Sequence, residues 1–239
     1  MRITSIENDK VKELTKLQQK KYRDLTNTYI VEGEHLVEEA KKANQVIEIF
    51  SLDEREDATT ISKEVMKKIT SLDSPPSMIA LCKKENQKEI KGDRIVLLDE
   101  IQDPGNLGTI IRSALAFQVD TIILTNHCVD NYNPKVIRAT QGMMFHMNII
   151  TMEEEEAIQE MRKRNIPIYG TSVENGIEIQ KLTKKEKEKY CLIMGNEGNG
   201  LSKEILNQCD KKLYIPMSEK VESLNVGVAC SIILYEFKK

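Results

Sequence analysis

Apolar residues fall along the chain in short continuous runs, separated by stretches in which they recur with helical spacing. From residue 29, YIVEG predicts a strand, EHLVEEAKKA an amphipathic helix, VIEIF a strand, SKEVMKKI a helix and MIALCKK a strand, together a small α/β unit. The polar stretch KENQKEIKGD, with Ile90 as its one aliphatic residue, predicts a linker. A second alternation follows: RIVLLD (strand), NLGTIIRSALAF (helix), TIILT (strand), PKVIRAT (short helix), MNIIT (strand), EEEEAIQEMRKR (helix), IPIYGT and YCLIMG (strands), KEILNQC (helix), KLYIP (strand) and SLNVGVACSIILYEF (helix). The pattern divides the chain into an amino-terminal α/β domain over 1–84, a linker over 85–93 and a larger α/β domain over 94–239. Apolar strands alternating with helices predict a parallel sheet covered on both faces, in which ligands bind beyond the carboxyl ends of the strands. Glutamates 153–156 need no functional account, because they open a helix that closes on Arg162, Lys163 and Arg164, as the helix dipole favours.

Composition narrows the classes. With 40% hydrophobic and 31% charged residues the chain is ordinary globular protein, neither disordered nor fibrous. No apolar run reaches the length of a membrane span, and MRITSIENDK lacks the apolar core of a signal peptide, so a cytoplasmic location is expected. Five scattered cysteines without a CxxC pair, and no HxxxH spacing, suggest neither a disulfide framework nor a metal site. The net charge of −3 does not advertise a nucleic-acid binder. Residues 1–24 nevertheless hold seven basic side chains against four acidic ones, which reads either as a basic arm or as a solvated helix face.

Three segments combine a strand end, small residues and polar side chains. After RIVLLD, Asp103-Pro104-Gly105-Asn106 forms a turn in which Asn106 is a candidate helix N-cap, with Arg112 six residues further on. After YCLIM comes GNEGNGLS, which is neither a Walker loop nor GxGxxG. Its glycines call for unusual φ angles, as a structural turn would, or for close approach of something to the backbone. The third segment, LYIPMSEKVESLNVGVACSIILYE, ends a strand in Pro216 and opens a helix at Ser223–Asn225. Its small residues imply a close neighbour, which could be the sheet, the rest of the chain or a second subunit.

In this order and near this spacing, NLGTIIR, MGNEGNGLS and IPMSEKVESLNVGVACSIILYE resemble the three motifs of the SpoU/TrmH family. These are the knotted SPOUT-superfamily methyltransferases that methylate ribose 2′-hydroxyls of RNA. YIVEGEHLVEEA and SPPSMIALCKK look like parts of the amino-terminal substrate-binding domain of rRNA-modifying members, so the resemblance covers nearly the whole chain. It implies a trefoil-knotted parallel-sheet methyltransferase domain, with S-adenosylmethionine bound in the knot, preceded by a small α/β RNA substrate-binding domain. It places cofactor contacts at Gly195, Ile215 and Leu224, with Thr171 and Met217 as neighbours. Asn106, Arg112, Glu197, Ser223 and Asn225 fall around the reacting centre.

A guanidinium group is a poor base, so Arg112 is expected mainly to clamp the phosphate beside the target ribose and to polarise the hydroxyl. The resemblance further implies a homodimer, with rRNA as substrate in preference to tRNA, while the residues themselves suggest neither metal nor membrane as partner. Two rival readings lack support in the residues. A dinucleotide oxidoreductase needs a GxGxxG turn after its first strand, which is missing. A non-catalytic RNA-binding protein would have no chemical use for the set of Asn106, Arg112, Glu197, Ser223 and Asn225.

Overall fold

The structure is a computed structural model describing residues 2–85, 89–173 and 176–238, so residues 86–88 of the expected linker lie outside it. Its elements are β1 (Arg2–Ile3), α1 (Asp9–Lys16), α2 (Lys20–Thr26), β2 (Thr28–Glu32), α3 (Glu34–Lys42), β3 (Val46–Ser51), β4 (Thr59–Ile61), α4 (Lys63–Ile69) and β5 (Met78–Lys83). There follow β6 (Arg94–Leu98), α5 (Pro104–Ala116), β7 (Thr121–Leu124), α6 (Pro134–Thr140), β8 (Asn148–Thr151), α7 (Glu154–Lys163) and β9 (Ile168–Thr171). The chain closes with β10 (Ile177–Glu178), β11 (Tyr190–Met194), α8 (Lys203–Gln208), β12 (Lys211–Tyr214) and α9 (Val226–Glu236). The strands and helices anticipated from residue 29 onward are all present, and the short strands β1, β4 and β10 and the helices α1 and α2 are additional. The chain divides into two compact units, Met1–Asn86 with Asp130–Phe145, and Gln87–Val129 with His146–Lys239.

The first unit is built on a sheet of order β1-β4-β3-β5-β2, in which β5 runs antiparallel to β2 and β3. Residues 9–26 form two helices, and Val11, Leu14 and Leu17 are buried with Ile30, Phe50 and Val65 in one core. The basic amino-terminal stretch is therefore helical and packed on a core. Arg23, one of its seven basic residues, is 2% exposed and donates to Asp130 Oδ2 through Nε at 3.0 Å and Nη2 at 2.6 Å. Asp130 belongs to a segment far along the chain that packs on β2. There Tyr132 stacks on Tyr29 with ring centroids 4.6 Å apart, and Arg138 donates to Glu32 at 3.2 Å. The contact shields an edge strand that would otherwise present unpaired backbone.

The second unit carries a sheet of order β10-β12-β9-β11-β6-β7-β8, parallel at every described pairing. Every residue of β6, β7 and β11 is buried, as strands covered on both faces require. Alternation assigns the faces: Ile95, Leu97, Cys191 and Ile193 join Ile158, Met161 and Ile205 in one core layer. On the other face α5 packs along α9. Residues 89–93 are fastened to this unit, with Arg164 donating to the carbonyls of Ile90 and Gly92 and Thr121 exchanging hydrogen bonds with Lys91.

Two helix starts differ from expectation. Asp103, not Asn106, is the N-cap of α5, accepting from the Asn106 amide at 2.8 Å. Pro104, lacking an N–H and fixed in φ, suits the first helical position, so the helix begins earlier and Asn106 lies within its first turn. Helix α9 begins at Val226 with Asn225 as its cap, so Ser223 and Leu224 precede it.

Removing the Asp130 carboxylate leaves the Arg23 guanidinium buried without its counter-charge, so Asp130→Ala is expected to destabilise the first unit by about 3 kcal/mol. Urea denaturation followed by near-ultraviolet signals of Tyr29 and Tyr132 measures this; a loss below about 1 kcal/mol would show that the pair is relaxed or hydrated.

Candidate active site

Strands β12, β9, β11 and β6 are consecutive neighbours in the sheet, so the loops leaving their carboxyl ends emerge side by side. Two of those loops are joined by adjacent residues of the GNEGNG segment. The Asn196 side-chain amide donates to the Glu100 carbonyl at 3.2 Å. The Glu197 carboxylate accepts from the amide of Gln102 at 3.2 Å, the amide of Asp103 at 3.1 Å and the side chain of Asn106 at 3.1 Å. Partial burial pushes the Glu197 carboxyl upward, but the hydrogen bonds from Asp103, Asn106 and Gln102 outweigh it and hold the group below the usual carboxylate range. Asn106 also accepts from Asn225 Nδ2 at 2.8 Å, and Asn225 Oδ1 accepts from the Val228 amide at 3.2 Å. A single chain of hydrogen bonds thus runs from the loop after β11, through the first turn of α5, to the start of α9.

Beside this chain lies a cavity of about 370 Å³, lined by residues of the loops after β9, β11 and β12 and by the first turns of α9. Thr171, Gly195, Ile215, Met217 and Leu224 all line it, together with Glu197 and Ser223. Its floor depends on glycine. A Cβ on Gly195 would fall 2.4–2.6 Å from backbone atoms of Gly200 and Leu201, and Gly200 itself adopts φ +66°. Here the glycines serve both alternatives raised by the sequence, a left-handed turn and a close backbone approach. Asn196 closes the turn, its Oδ1 accepting from the amides of Gly198 at 2.8 Å and Asn199 at 3.2 Å. Among the described residues, Glu197 and Glu222 are the charged side chains of the lining, and it includes no Lys, Arg or His.

Of the ten anticipated site residues, Arg112 alone stands outside this assembly. It is exposed on α5 and makes no ion pair or hydrogen bond among the described residues. Nearby, α5 and α9 meet closely: a Cβ on Gly227 would lie 3.3 Å from Thr109, Ser113 and Ser231 share a hydrogen bond of 2.6 Å, and Phe117 meets Tyr235 edge to face. The small residues of α9 therefore pack within their own chain. A different stripe of α9, Val228, Ile232 and Tyr235, is 45%, 37% and 55% exposed. Sequence reasoning passed over Asn196 and Glu222. An Asn two residues before a Gly is the recognisable signal for the first, as a side-chain-capped turn; the second lies in a polar loop with no periodic pattern to single it out.

Residues 93–235 match the model of the SpoU rRNA methylase family, and residues 8–80 match the MRM3-like substrate binding domain. The chain is 36% identical to the 23S rRNA (guanosine(2553)-2′-O)-methyltransferase RlmP of Bacillus subtilis (strain 168), over 99% of this chain and 98% of that protein. A solved AdoMet-bound rRNA methyltransferase from Sinorhizobium meliloti superposes with a TM-score of 0.89 at 28% identity, covering 99% of this chain and 97% of that one. The TrmH/SpoU tRNA modifying enzyme of A. aeolicus, at 25% identity, covers 62% of this chain and 76% of its own with a TM-score of 0.52.

Because the Glu197 pKa is depressed by folding, its contribution to stability is fully present above the ordinary carboxylate range and is lost as pH falls through the folded-state value. Glu197→Gln should therefore lower the stability of the second unit by about 1–2 kcal/mol at pH 7, with the difference from wild type shrinking as the medium is acidified. Paired denaturant titrations at neutral and acid pH measure this, and a pH-independent difference would show that the carboxylate charge is not what the clasp uses.

Proposed function

As the chain belongs to the SpoU rRNA methylase family, we propose that it methylates the ribose 2′-oxygen of a guanosine in 23S rRNA, corresponding to the position named for RlmP. The chain is an S-adenosylmethionine-dependent RNA 2′-O-methyltransferase, and the proposal concerns its substrate and site. The observation that carries it is the cavity lined by Glu197 and Glu222 beside the Asn106–Asn225 amide chain. Its described lining residues offer carboxylates but no cation to hold a phosphate, which fits a sulfonium cofactor and disfavours a nucleotide diphosphate. The Gly195–Gly200 contact leaves a slot wall of bare backbone, suited to the edge of an adenine. The trefoil knot belongs to the proposal, and the family resemblance supports it. A whole-length likeness to rRNA enzymes, against coverage of 62% by the tRNA-modifying enzyme, favours rRNA, and a cytoplasmic setting with it.

In this reading Thr171, Gly195, Ile215, Met217 and Leu224 hold the cofactor, which supplies an activated methyl group when bound. Asn106, Ser223 and Asn225 orient the ribose hydroxyl, and the fixed amide chain removes much of the entropy that free side chains would lose on substrate binding. Glu197 serves as the anchor of that chain: its oxygens are already engaged by three N–H donors, so it is poorly placed to collect a proton. Arg112 clamps the neighbouring phosphate and polarises the hydroxyl. Since Arg112 is exposed without a partner among the described residues, we assign the complete centre to a homodimer formed on the Val228–Ile232–Tyr235 stripe.

Transfer of labelled methyl groups to RNA from a strain lacking this gene, followed by nucleoside and fragment mass analysis, should give 2′-O-methylguanosine in 23S rRNA. Label confined to tRNA would overturn the substrate. Arg112→Ala should reduce turnover at least ~100-fold while leaving cofactor affinity within about two-fold, and near-wild-type turnover would remove Arg112 from the centre. Val228→Asp combined with Ile232→Asp should convert the protein to monomer in sedimentation, whereas a variant that sediments as wild type would exclude this stripe as the interface.

A further inference from the structure

We infer that the corner between α1 and α2 is a preformed RNA-phosphate contact of the first unit, built from Lys16, Lys20 and Lys21 around Tyr22. The inference rests on the RNA-methyltransferase reading above and assigns the face by which the first unit meets its substrate. Electrostatic pairing separates these lysines from Lys10, Lys12 and Arg23 of the same stretch. Lys10 is paired with Glu13 at 3.5 Å and Glu48 at 3.3 Å, Lys12 with Glu7 at 2.9 Å, and Arg23 is buried against Asp130. Lys16, Lys20 and Lys21 are exposed and have no carboxylate partner among the described residues. Between Glu13 and Asp24 the sequence contains no acidic residue at all, so the corner keeps its charge although the whole chain carries −3.

The corner is rigid as well as charged. Arg23 Nη1 donates to the carbonyl of Leu17 at 2.9 Å and to that of Gln18 at 3.0 Å, while its Nε and Nη2 hold Asp130. Gln18 donates from Nε2 to the Ile69 carbonyl at 2.6 Å, fixing the same turn to the end of α4. Tyr22 is half-buried, and the ammonium groups of Lys16 and Lys21 lie 5.6 and 6.0 Å from its ring centroid. The ring restrains two long side chains that would otherwise lose considerable rotamer freedom on gripping a ligand. Unpaired cations on a braced turn suit a polyanion whose phosphates recur at regular spacing, and such contacts add affinity without reading sequence.

The test is the salt dependence of binding to 23S rRNA transcribed in vitro, which carries no methyl marks. Replacing Lys16, Lys20 and Lys21 together with Gln should reduce the magnitude of the log Kd against log salt slope by about 2, and weaken binding on the order of ten-fold near 0.15 M salt. S-adenosylmethionine affinity, measured by calorimetry, should be unchanged, which reports an intact second unit. Lys10→Gln with Lys12→Gln, which removes paired charges from the same helix, should change the slope by less than about one. An unchanged slope in the triple variant, or an equal change in the paired-lysine variant, overturns the inference. Should the wild-type enzyme ignore the rRNA transcript and methylate tRNA, the substrate proposal fails by itself, and the same slopes measured on that tRNA decide the corner.

Discussion

The second unit is organised around one carboxylate. Glu197 leaves the carboxyl end of β11 and accepts three N–H groups from the loop and helix turn that follow β6, the strand alongside. Neighbouring parallel strands end about 5 Å apart, so their loops are forced together, and two backbone amides at the start of a helix would be left without acceptors if nothing met them. Glu197 meets them while Asn196, one residue earlier, gives its amide to the Glu100 carbonyl. Glu100 sits at φ +55°, a left-handed conformation that a side chain tolerates only when its surroundings determine it. Donor and acceptor on consecutive residues thus fix both the distance and the register between the two loops. The third loop is tied to them through Asn106 and Asn225.

From that clasp follows the character of the cavity. Gly195 can touch Gly200 only because Gly195 has no Cβ, and the turn between them is closed by the Asn196 side chain rather than by a basic residue reaching for phosphate. A nucleotide-binding loop of the Walker type recruits anions with amides and a lysine. Here the amides of Gly198 and Asn199 are already engaged by Asn196 Oδ1, and the remaining charges of the lining are negative. Electrostatics and hydrogen-bond satisfaction therefore both suit a cationic, phosphate-free cofactor.

Most of the fold was legible because its strands are buried on both faces and its helices are amphipathic, two patterns that hydrophobicity records directly. The short strands β1, β4 and β10 carry too few residues to show a period. The site was legible in its composition but not in its connections. Asn106 reads as a cap in isolation, and only the observed Asp103-Pro104 start moves it into the first turn, where its amide faces two other loops. Arg112 shows the opposite limit: the family motif marks it, yet none of the described residues engages it. The second unit places nine of the ten anticipated residues around one cavity and one hydrogen-bond chain, and the tenth on the exposed surface of α5.

Arg23 shows why a count of charges misleads. In the sequence it is one of seven basic residues in a polar stretch; in the fold it is the least solvated of them. A buried ion pair contributes little net stability over a well-packed apolar pair of the same volume, because desolvation offsets the attraction. What an apolar pair could not do is hold the Leu17 and Gln18 carbonyls, which point inward at the α1–α2 turn, and at the same time accept only one partner segment. The guanidinium satisfies both carbonyls and leaves its remaining N–H groups for a carboxylate that the chain supplies 107 residues later. The pair therefore selects an arrangement rather than strengthening one, and it withdraws a basic residue from the surface in order to set the geometry of the lysines that remain there.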